Sequence, residues 1–102
     1  MLVQAVAVSS GTAALHAALL TVDVGPGDEV VVPSFAPTPV AEAVVLAGGK
    51  PVFADINPET YNLDPNSFRE KITSKTRAVI AVHLYGLMAD MEAIREIARD
   101  KG

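Results

Sequence analysis

The 102-residue chain is 50% hydrophobic and 20% charged, which is typical of one folded domain with an aliphatic core and not of a disordered segment. Its net charge is −4 and its eight lysines and arginines all lie at Lys50 or later, so we expect no nucleic-acid partner. The absence of cysteine excludes disulfides, thiolate catalysis and cysteine-ligated metals.

The first predicted element is a buried strand over Leu2–Val8, a short run rich in valine. No positive residue precedes this run and Gln4 interrupts it, so we do not interpret it as a signal peptide. No other apolar run is long enough to cross a bilayer. We therefore expect a cytoplasmic protein with no membrane partner.

After this run, helical and strand-like segments alternate with short turns between them. The predicted helices start at caps at Ser9 or Ser10, at Thr38, at Asp64 and at Asp90, and the further predicted strands are Glu29–Pro33, Pro51–Asp55 and Ala78–Leu84. This order predicts an α/β fold with a mainly parallel sheet flanked by helices.

Both ends of the sequence indicate a domain that continues beyond them. Met1 enters the first predicted strand directly, and Gly102 follows a helix at the point where another strand is expected. We interpret residues 1–102 as a single partial domain, truncated at both ends. Such a fragment should expose an apolar edge and tend to pair or aggregate.

The turn Ser9–Thr12 combines glycine and hydroxyl side chains with the start of an alanine-rich helix. The free N–H groups and the positive dipole end of a helix N-terminus together form an anion site. A phosphate fits this pattern, although residues 1–49 contain no lysine or arginine. The pattern alone fits equally well a turn that does no more than cap the helix.

Other polar residues give weaker signals. His16 and His83 have no ligand spacing in common, so we predict packing roles and no metal site. Asp55 ends a predicted strand and is interpreted as the cap of the next turn. The serines lack a GxSxG motif, which argues against a hydrolase.

Four ordered blocks of the sequence resemble the DegT/DnrJ/EryC1/StrS family of sugar aminotransferases. The resemblance runs from about Val6 to Gly102 and rests on "AVSSGTAALHAALL", "GPGDEVVVPSF", "AVVLAGGKPVFADINPETYNLDP" and "AVHLYGLMADMEAI". It implies the fold-type I architecture of enzymes that use pyridoxal 5′-phosphate (PLP). The chain would then be the N-terminal part of the PLP-binding large domain.

The resemblance also implies which residues bind the cofactor. The family's SGTA turn, which binds the PLP phosphate, corresponds to Ser10, Gly11, Thr12 and Ala13. Its aromatic residue against the pyridine ring corresponds to Pro37, which offers apolar contact without π-stacking. Phe35, two residues earlier, is interpreted as a core residue, and Leu87 stands where the family often has glutamine.

Transamination by PLP requires a Schiff-base lysine and an acid opposite the ring nitrogen. The four lysines, Lys50, Lys71, Lys75 and Lys101, all fall at the amino-terminal edge of the predicted sheet. In the family both groups come later in the sequence, so no catalytic residue is predicted within these 102 residues. We expect the chain alone not to transaminate and to bind PLP weakly or not at all.

The resemblance implies a function for the complete enzyme. It would transfer an amino group from a donor such as glutamate to a keto-sugar nucleotide, for cell-surface polysaccharides or glycosylated metabolites, and would form a homodimer. Two alternatives stay open for the chain itself. One is a non-catalytic remnant or regulatory binding module, and the other is one half of a split enzyme.

Overall fold

The computed structural model describes residues 4–102, and helices and strands alternate along this range. The strands are β1 (Glu29–Pro33), β2 (Lys50–Ala54) and β3 (Thr76–Val79), and the helices are α1 (Gly11–Thr21), α2 (Thr38–Leu46), α3 (Pro65–Lys71) and α4 (Met91–Lys101). A short 3-10 turn over Leu84–Gly86 lies between β3 and α4. No helix of this range is both long and apolar enough to cross a membrane.

The strands form one parallel sheet in the order β2-β1-β3, so the predicted parallel α/β arrangement is confirmed. β1 is the central strand, and Val30, Val31 and Val32 are all fully buried. Because successive side chains of a strand point to opposite faces, Val30 and Val32 join one core cluster while Val31 joins the other. The central strand therefore connects two hydrophobic cores.

One helical layer covers the face of the sheet that carries Val30 and Val32. In this layer α1 and α2 pack against each other and against the sheet. Apart from the two valines, the buried residues of this core are Leu19, Val24, Val40, Ala43, Val44 and Ala47. Since none of these side chains is larger than leucine, the helices of this layer lie close to each other and to the strands.

The other layer consists of α3 and α4, which pack on the face that carries Val31. Phe68 of α3 and Ile94 and Ile97 of α4 are at most 3% exposed. The spacing of Ile94 and Ile97 places both side chains on one face of the helix. The charged residues of α4 occupy its remaining surface, so this layer has one apolar and one charged side.

Three of the four predicted helix caps are confirmed. The side-chain oxygens of Ser10, Asp64 and Asp90 each accept a hydrogen bond of 3.0–3.1 Å from a backbone N–H in the first turn of their helix. The prediction at Thr38 is wrong, because this residue already lies inside α2 and the cap position is Pro37, which makes no side-chain cap bond. Pro39 in the first turn is compatible with a cap at Thr38 as well as with the observed cap at Pro37.

The predicted first strand, Leu2–Val8, is not present in the part of the chain that the structure describes. Residues 4–8 belong to no strand and are exposed, with Val6 at 87%; Leu2 and Val3 lie outside the described residues. A strand needs a neighbour for its backbone hydrogen bonds. None of the described strands pairs with residues 4–8, so the valine-rich composition alone does not produce a strand here.

The last strand is shorter and begins earlier than the predicted Ala78–Leu84. The parallel ladder between β1 and β3 ends with the bond from Ile80 N–H to the Val31 carbonyl, at 2.9 Å. Beyond it, Ile80 and Val82 still pack against the first core. The apolar character of Val82 therefore reflects packing and not strand pairing, whereas Ile80 takes part in both. The predicted Pro51–Asp55 strand is observed one residue earlier, as β2.

Candidate cofactor-binding site

The N-terminus of α1 points toward the carboxyl edge of the sheet. At the opposite end of this helix, the Val22 carbonyl accepts a hydrogen bond of 2.9 Å from Arg77 Nε, and Asp23 lies 3.9 Å from the Arg77 guanidinium. Arg77 belongs to the start of β3, which fixes the α1 C-terminus at the amino edge. Because ligands of parallel sheets gather outside the carboxyl ends of the strands, Ser10–Ala13 lies on the favourable side.

Two backbone donors at this N-terminus have no acceptor among residues 4–102. Ser10 Oγ accepts from the Ala13 amide at 3.1 Å, so the Ala13 N–H is already engaged. Within residues 4–102, by contrast, no acceptor is hydrogen-bonded to the Gly11 or Thr12 N–H. Ser10 and Gly11 are exposed and Thr12 is half-buried. The turn therefore presents two amides and two hydroxyls to one accessible region.

The charge of this region favours an anion. The first turn of α1 contains no acidic residue, so the positive end of the helix dipole is not compensated by a carboxylate. The donors are neutral, since residues 1–49 contain no lysine or arginine. Amides and hydroxyls of this kind are suitable donors for a phosphate group, and the residues present fit the phosphate of PLP.

Gly11 itself is not required by crowding. A Cβ built on this residue would meet no heavy atom within 4 Å, and its φ is not in the left-handed range. Alanine is therefore sterically acceptable here. An acidic side chain would also fit, but its carboxylate would extend beside the two free amides. This difference separates steric from electrostatic effects in an experiment.

Pro37 lies in a second part of the carboxyl edge. It is exposed and lines a cleft of about 320 Å³ between the loop after β1 and the 3-10 turn after β3, whose walls are Ser34, Phe35, Ala36, Pro37, Leu84 and Tyr85. Ser10–Ala13 are not among the walls of this cleft. The structure thus places the predicted phosphate residues and the predicted ring residue on the same edge but not in one cleft.

Phe35 is not a core residue, contrary to the sequence interpretation. Its side chain is 48% exposed, and its ring centroid lies 5.7 Å from that of Tyr61 in a tilted arrangement. Such an edge-tilted pair is a favourable aromatic contact. Phe35 therefore joins the loop after β1 to the turn that contains Tyr61.

The four lysines all lie away from the candidate site, as predicted. Lys50 begins β2 and Lys75 directly precedes β3, while Lys71 and Lys101 end α3 and α4. All four are exposed. Lys101 lines a cleft together with Thr76 at the start of β3. These positions correspond to the amino edge of the sheet, so none of the four amines approaches Gly11 or Thr12.

The remaining polar candidates have structural contacts. His83 is exposed, and its Nδ1 accepts a hydrogen bond of 3.0 Å from the Ala89 N–H, so its observed contact is structural. In the turn after β2 the side-chain acceptor is Asn57, which binds the Glu59 N–H at 2.8 Å, and not Asp55. Within residues 4–102 no three metal-ligating side chains are grouped.

Asn62 is a buried polar residue that the sequence does not single out. Its side chain is 3% exposed. Its side-chain partners lie 22 and 25 residues further along the chain. Contacts of this separation leave no local pattern. Only its position in the polar run "TYNLDP" could have drawn attention to it.

Known proteins resemble this chain closely. The sequence model of the DegT/DnrJ/EryC1/StrS aminotransferase family matches residues 2–102. The chain is 50% identical over 93 residues to a "Pleiotropic regulatory protein" of Geobacillus stearothermophilus, covering 91% of this chain and 25% of the relative. It is 49% identical over 94 residues to UDP-2-acetamido-2-deoxy-3-oxo-D-glucuronate aminotransferase of Pseudomonas aeruginosa, covering 92% and 26%. NtdA of Bacillus subtilis, solved with bound cofactor PMP, has a TM-score of 0.87 at 43% identity over 90% of this chain and 21% of that one.

The chain spans about a quarter of the length of the curated relatives it matches. Its solved relatives are PLP-dependent aminotransferases of fold type I, so the predicted fold class is confirmed. The family model matches residues 2–102, and this range includes all four sequence blocks that carry the resemblance. The chain belongs to the DegT/DnrJ/EryC1/StrS aminotransferase family.

Proposed function

We propose that this chain is the phosphate-binding part of the large domain of a PLP-dependent aminotransferase. The complete enzyme would transfer an amino group, typically from glutamate, to a keto-sugar nucleotide. The observation that carries the proposal is the α1 N-terminus, where the Gly11 and Thr12 amides lack acceptors among residues 4–102. The amino-sugar substrate class is supported by relatives such as the Pseudomonas aeruginosa aminotransferase.

Each residue of the turn has a defined task in this proposal. The Gly11 and Thr12 amides donate to phosphate oxygens, and the Thr12 and Ser10 hydroxyls supply further donors. Ser10 also keeps the turn in place, because its Oγ binds the Ala13 N–H. The Ala13 amide reaches the phosphate only if it leaves Ser10 Oγ. Bound PLP would supply the electron sink that transamination requires.

Pro37 contributes at the ring end of the cofactor. Its exposed side chain on the wall of the 320 Å³ cleft offers apolar contact to a flat ring. Phosphate binding at α1 and ring contact at Pro37 would orient the cofactor across the carboxyl edge. The proline cannot stack as an aromatic residue does, so in this proposal the phosphate supplies most of the cofactor affinity.

The chemical step requires groups from sequence outside these 102 residues. No lysine of the chain lies at the carboxyl edge, so the amine that bonds the cofactor must come from elsewhere in the enzyme. The family resemblance implies that the acid at the ring nitrogen also comes from later sequence. We accordingly propose that the chain alone does not transaminate. We also propose that the complete enzyme is a cytoplasmic homodimer that supplies amino sugars for polysaccharides or glycosylated metabolites.

The substitution Gly11→Asp in the native protein that carries this chain tests the proposal. We expect the affinity for PLP to fall at least about 30-fold. The new carboxylate lies beside the two amides and repels the phosphate, whose charge-assisted hydrogen bonds to these amides are worth about 2 kcal/mol. The affinity for pyridoxal, which lacks the phosphate, should change little. Both are measured by equilibrium titration of the cofactor-free protein.

Gly11→Ala is the matched control, since a Cβ at this position meets nothing within 4 Å. It should leave the ratio of PLP affinity to pyridoxal affinity as it is in the wild type. Folding should also be preserved in Gly11→Asp, because an acid in the first turn of a helix is favourable. An unchanged affinity ratio in Gly11→Asp would rule out this turn as the phosphate site.

A second candidate is a regulatory protein without transaminase activity. The name of the Geobacillus stearothermophilus relative, a pleiotropic regulatory protein, favours it, as does the lack of a lysine near Gly11. Under this candidate the turn binds an anion or PLP without turnover. A native protein that binds PLP but does not convert PLP and glutamate to PMP would favour regulation over catalysis.

The split-enzyme alternative is tested by the intact mass of the native gene product in its source cells. A mass that corresponds to 102 residues, together with a neighbouring reading frame that encodes a suitable lysine loop, would favour a two-piece enzyme. The same mass without such a frame would favour a remnant. A much larger mass would favour a continuous aminotransferase.

A further inference from the structure

Asn62 clamps the turn that follows β3. Its Oδ1 accepts a hydrogen bond of 2.9 Å from the Leu84 N–H, and its Nδ2 donates one of 2.9 Å to the Leu87 carbonyl. The amide side chain is 3% exposed. Its oxygen binds the first residue of the turn and its nitrogen binds the last. A buried amide that is paired in this way is rigid, because leaving either end unpaired is costly.

The clamped turn has an unfavourable backbone conformation. Tyr85 has a φ of 55° and Gly86 a φ of 83°, so two consecutive residues are left-handed. This conformation is acceptable for glycine but disfavoured for tyrosine. The turn has one internal hydrogen bond, from the Leu87 N–H to the Leu84 carbonyl at 3.1 Å. The two bonds from Asn62 support this arrangement from outside.

The turn forms one wall of the cleft that Pro37 lines. Leu84 and Tyr85 face the loop after β1 across the cleft, and Tyr85 is 84% exposed, so few contacts of its own fix its side chain. Asn62 is adjacent in sequence to Tyr61, whose ring contacts Phe35 on the opposite wall. The Tyr61–Asn62 pair thus contacts both walls of the same cleft.

We propose that Asn62 is a positioning residue that fixes Tyr85 opposite Pro37 and so sets the width of this cleft. Asn62 itself is not among the residues that line the cleft and acts through the Leu84–Leu87 turn. That the ring of PLP is what enters the cleft rests on the proposed function. The placement of Tyr85 by Asn62 does not depend on it.

The first arm of the test needs no cofactor. The native protein is labelled with fluorotyrosine, and the Tyr85 resonance is assigned by its loss in Tyr85→Phe. In Asn62→Ala we expect the Tyr85 resonance to shift and broaden and the Leu84 amide to exchange at least about tenfold faster, since its acceptor is removed. Asn62→Asp keeps the acceptor for Leu84 and loses the donor to Leu87, so a smaller change is expected; it also serves if the alanine variant does not fold.

Ser67→Ala is the matched control. Ser67 is buried like Asn62, and its Oγ accepts a hydrogen bond of 2.8 Å from the Asp55 N–H, without contact to the Leu84–Leu87 turn. It should lower stability yet leave the Tyr85 resonance and Leu84 exchange unchanged. The proposal is overturned if Asn62→Ala leaves both signals unchanged, or if Ser67→Ala changes them equally.

The second arm adds PLP. In the wild type PLP should shift the Tyr85 resonance, and Asn62→Ala should weaken the apparent affinity read from this shift about tenfold, while Ser67→Ala has no effect. An equal affinity in the wild type and in Asn62→Ala would overturn the positioning role. If the wild type binds no PLP, the proposed function fails, and the first arm still decides whether Asn62 places Tyr85.

Discussion

The two helical layers of this molecule differ in where they carry charge. α1 contains no acidic or basic residue other than His16, and Glu42 is the only charged residue of α2. In the other layer, α3 has Arg69, Glu70 and Lys71 at its C-terminal end, and α4 has acidic and basic residues along its whole length. A helix that is charged on one side faces water on that side, whereas one that is apolar on all sides is suited to burial.

The same difference is found at the helix N-termini. Asp64 and Asp90 cap α3 and α4, and α4 has Glu92 in its first turn, so carboxylates compensate these dipoles. The cap of α1 is the neutral Ser10, and its first turn has no acid. The first turn of α2 also has no acid, so α1 and α2, unlike α3 and α4, leave the positive ends of their dipoles without a compensating carboxylate.

The outward faces of the layers differ as well. Val45 and Leu46 of α2 are each 61% exposed, whereas the residues that α4 exposes, such as Glu92, Glu96 and Arg99, are charged. α2 therefore has apolar side chains both toward the sheet and away from it, which is typical of a helix between two packed layers.

The largest expected effect is on the free energy of unfolding, which should depend on whether a core residue or an exposed residue of α2 is changed. Ile94→Ala should lower the free energy of unfolding of the chain by about 2–5 kcal/mol, because it leaves a cavity. Leu46→Ala should change it by no more than about 0.5 kcal/mol, since its side chain is largely in solvent. Urea denaturation measures both. Equal costs would mean that Ile94 and Leu46 do not differ in burial as described.

A smaller effect comes from giving α1 the acidic cap of α4. Ser10→Asp should keep α1 intact, because aspartate is a good N-cap, but should weaken PLP binding by the native protein about tenfold through repulsion of the phosphate. The control is Asp90→Asn, which also changes the charge of a cap by one and should leave PLP affinity unaltered. Tighter PLP binding by Ser10→Asp would contradict the assignment of this turn.

The smallest effect concerns the caps themselves. Ser10→Ala and Asp90→Ala should each reduce the free energy of unfolding by about 1 kcal/mol. Asp90→Ala should cost a few tenths more at low ionic strength, because its charge also interacts with the helix dipole. This excess should vanish in about 1 M salt. Its persistence at high salt would argue against a dipole contribution at α4.

The features that the sequence predicts well are those decided by neighbouring residues. Ser10, Asp64 and Asp90 act as caps because a side-chain oxygen reaches an amide only two or three residues away. The core strand Glu29–Pro33 was predicted with its observed bounds, since its valine run is buried on both faces. Such signals are contained in a short window.

The features that the sequence could not predict depend on distant residues. Residues 4–8 have strand-like composition but no pairing partner among the described strands, and β3 stops where its ladder with β1 ends. The sequence interpretation places Phe35 in the core, yet its ring contacts that of Tyr61 outside the core. The hydrogen bonds of the Asn62 side chain join residues more than 20 positions apart, so no local sequence pattern predicts them.

The crystal structure of the native protein with bound PLP would test the phosphate assignment most directly. We predict phosphate oxygens at about 2.7–3.2 Å from the backbone nitrogens of Gly11 and Thr12, with the pyridine ring toward Pro37. A PLP phosphate bound at another part of the protein, with water at these two amides, would contradict the central claim.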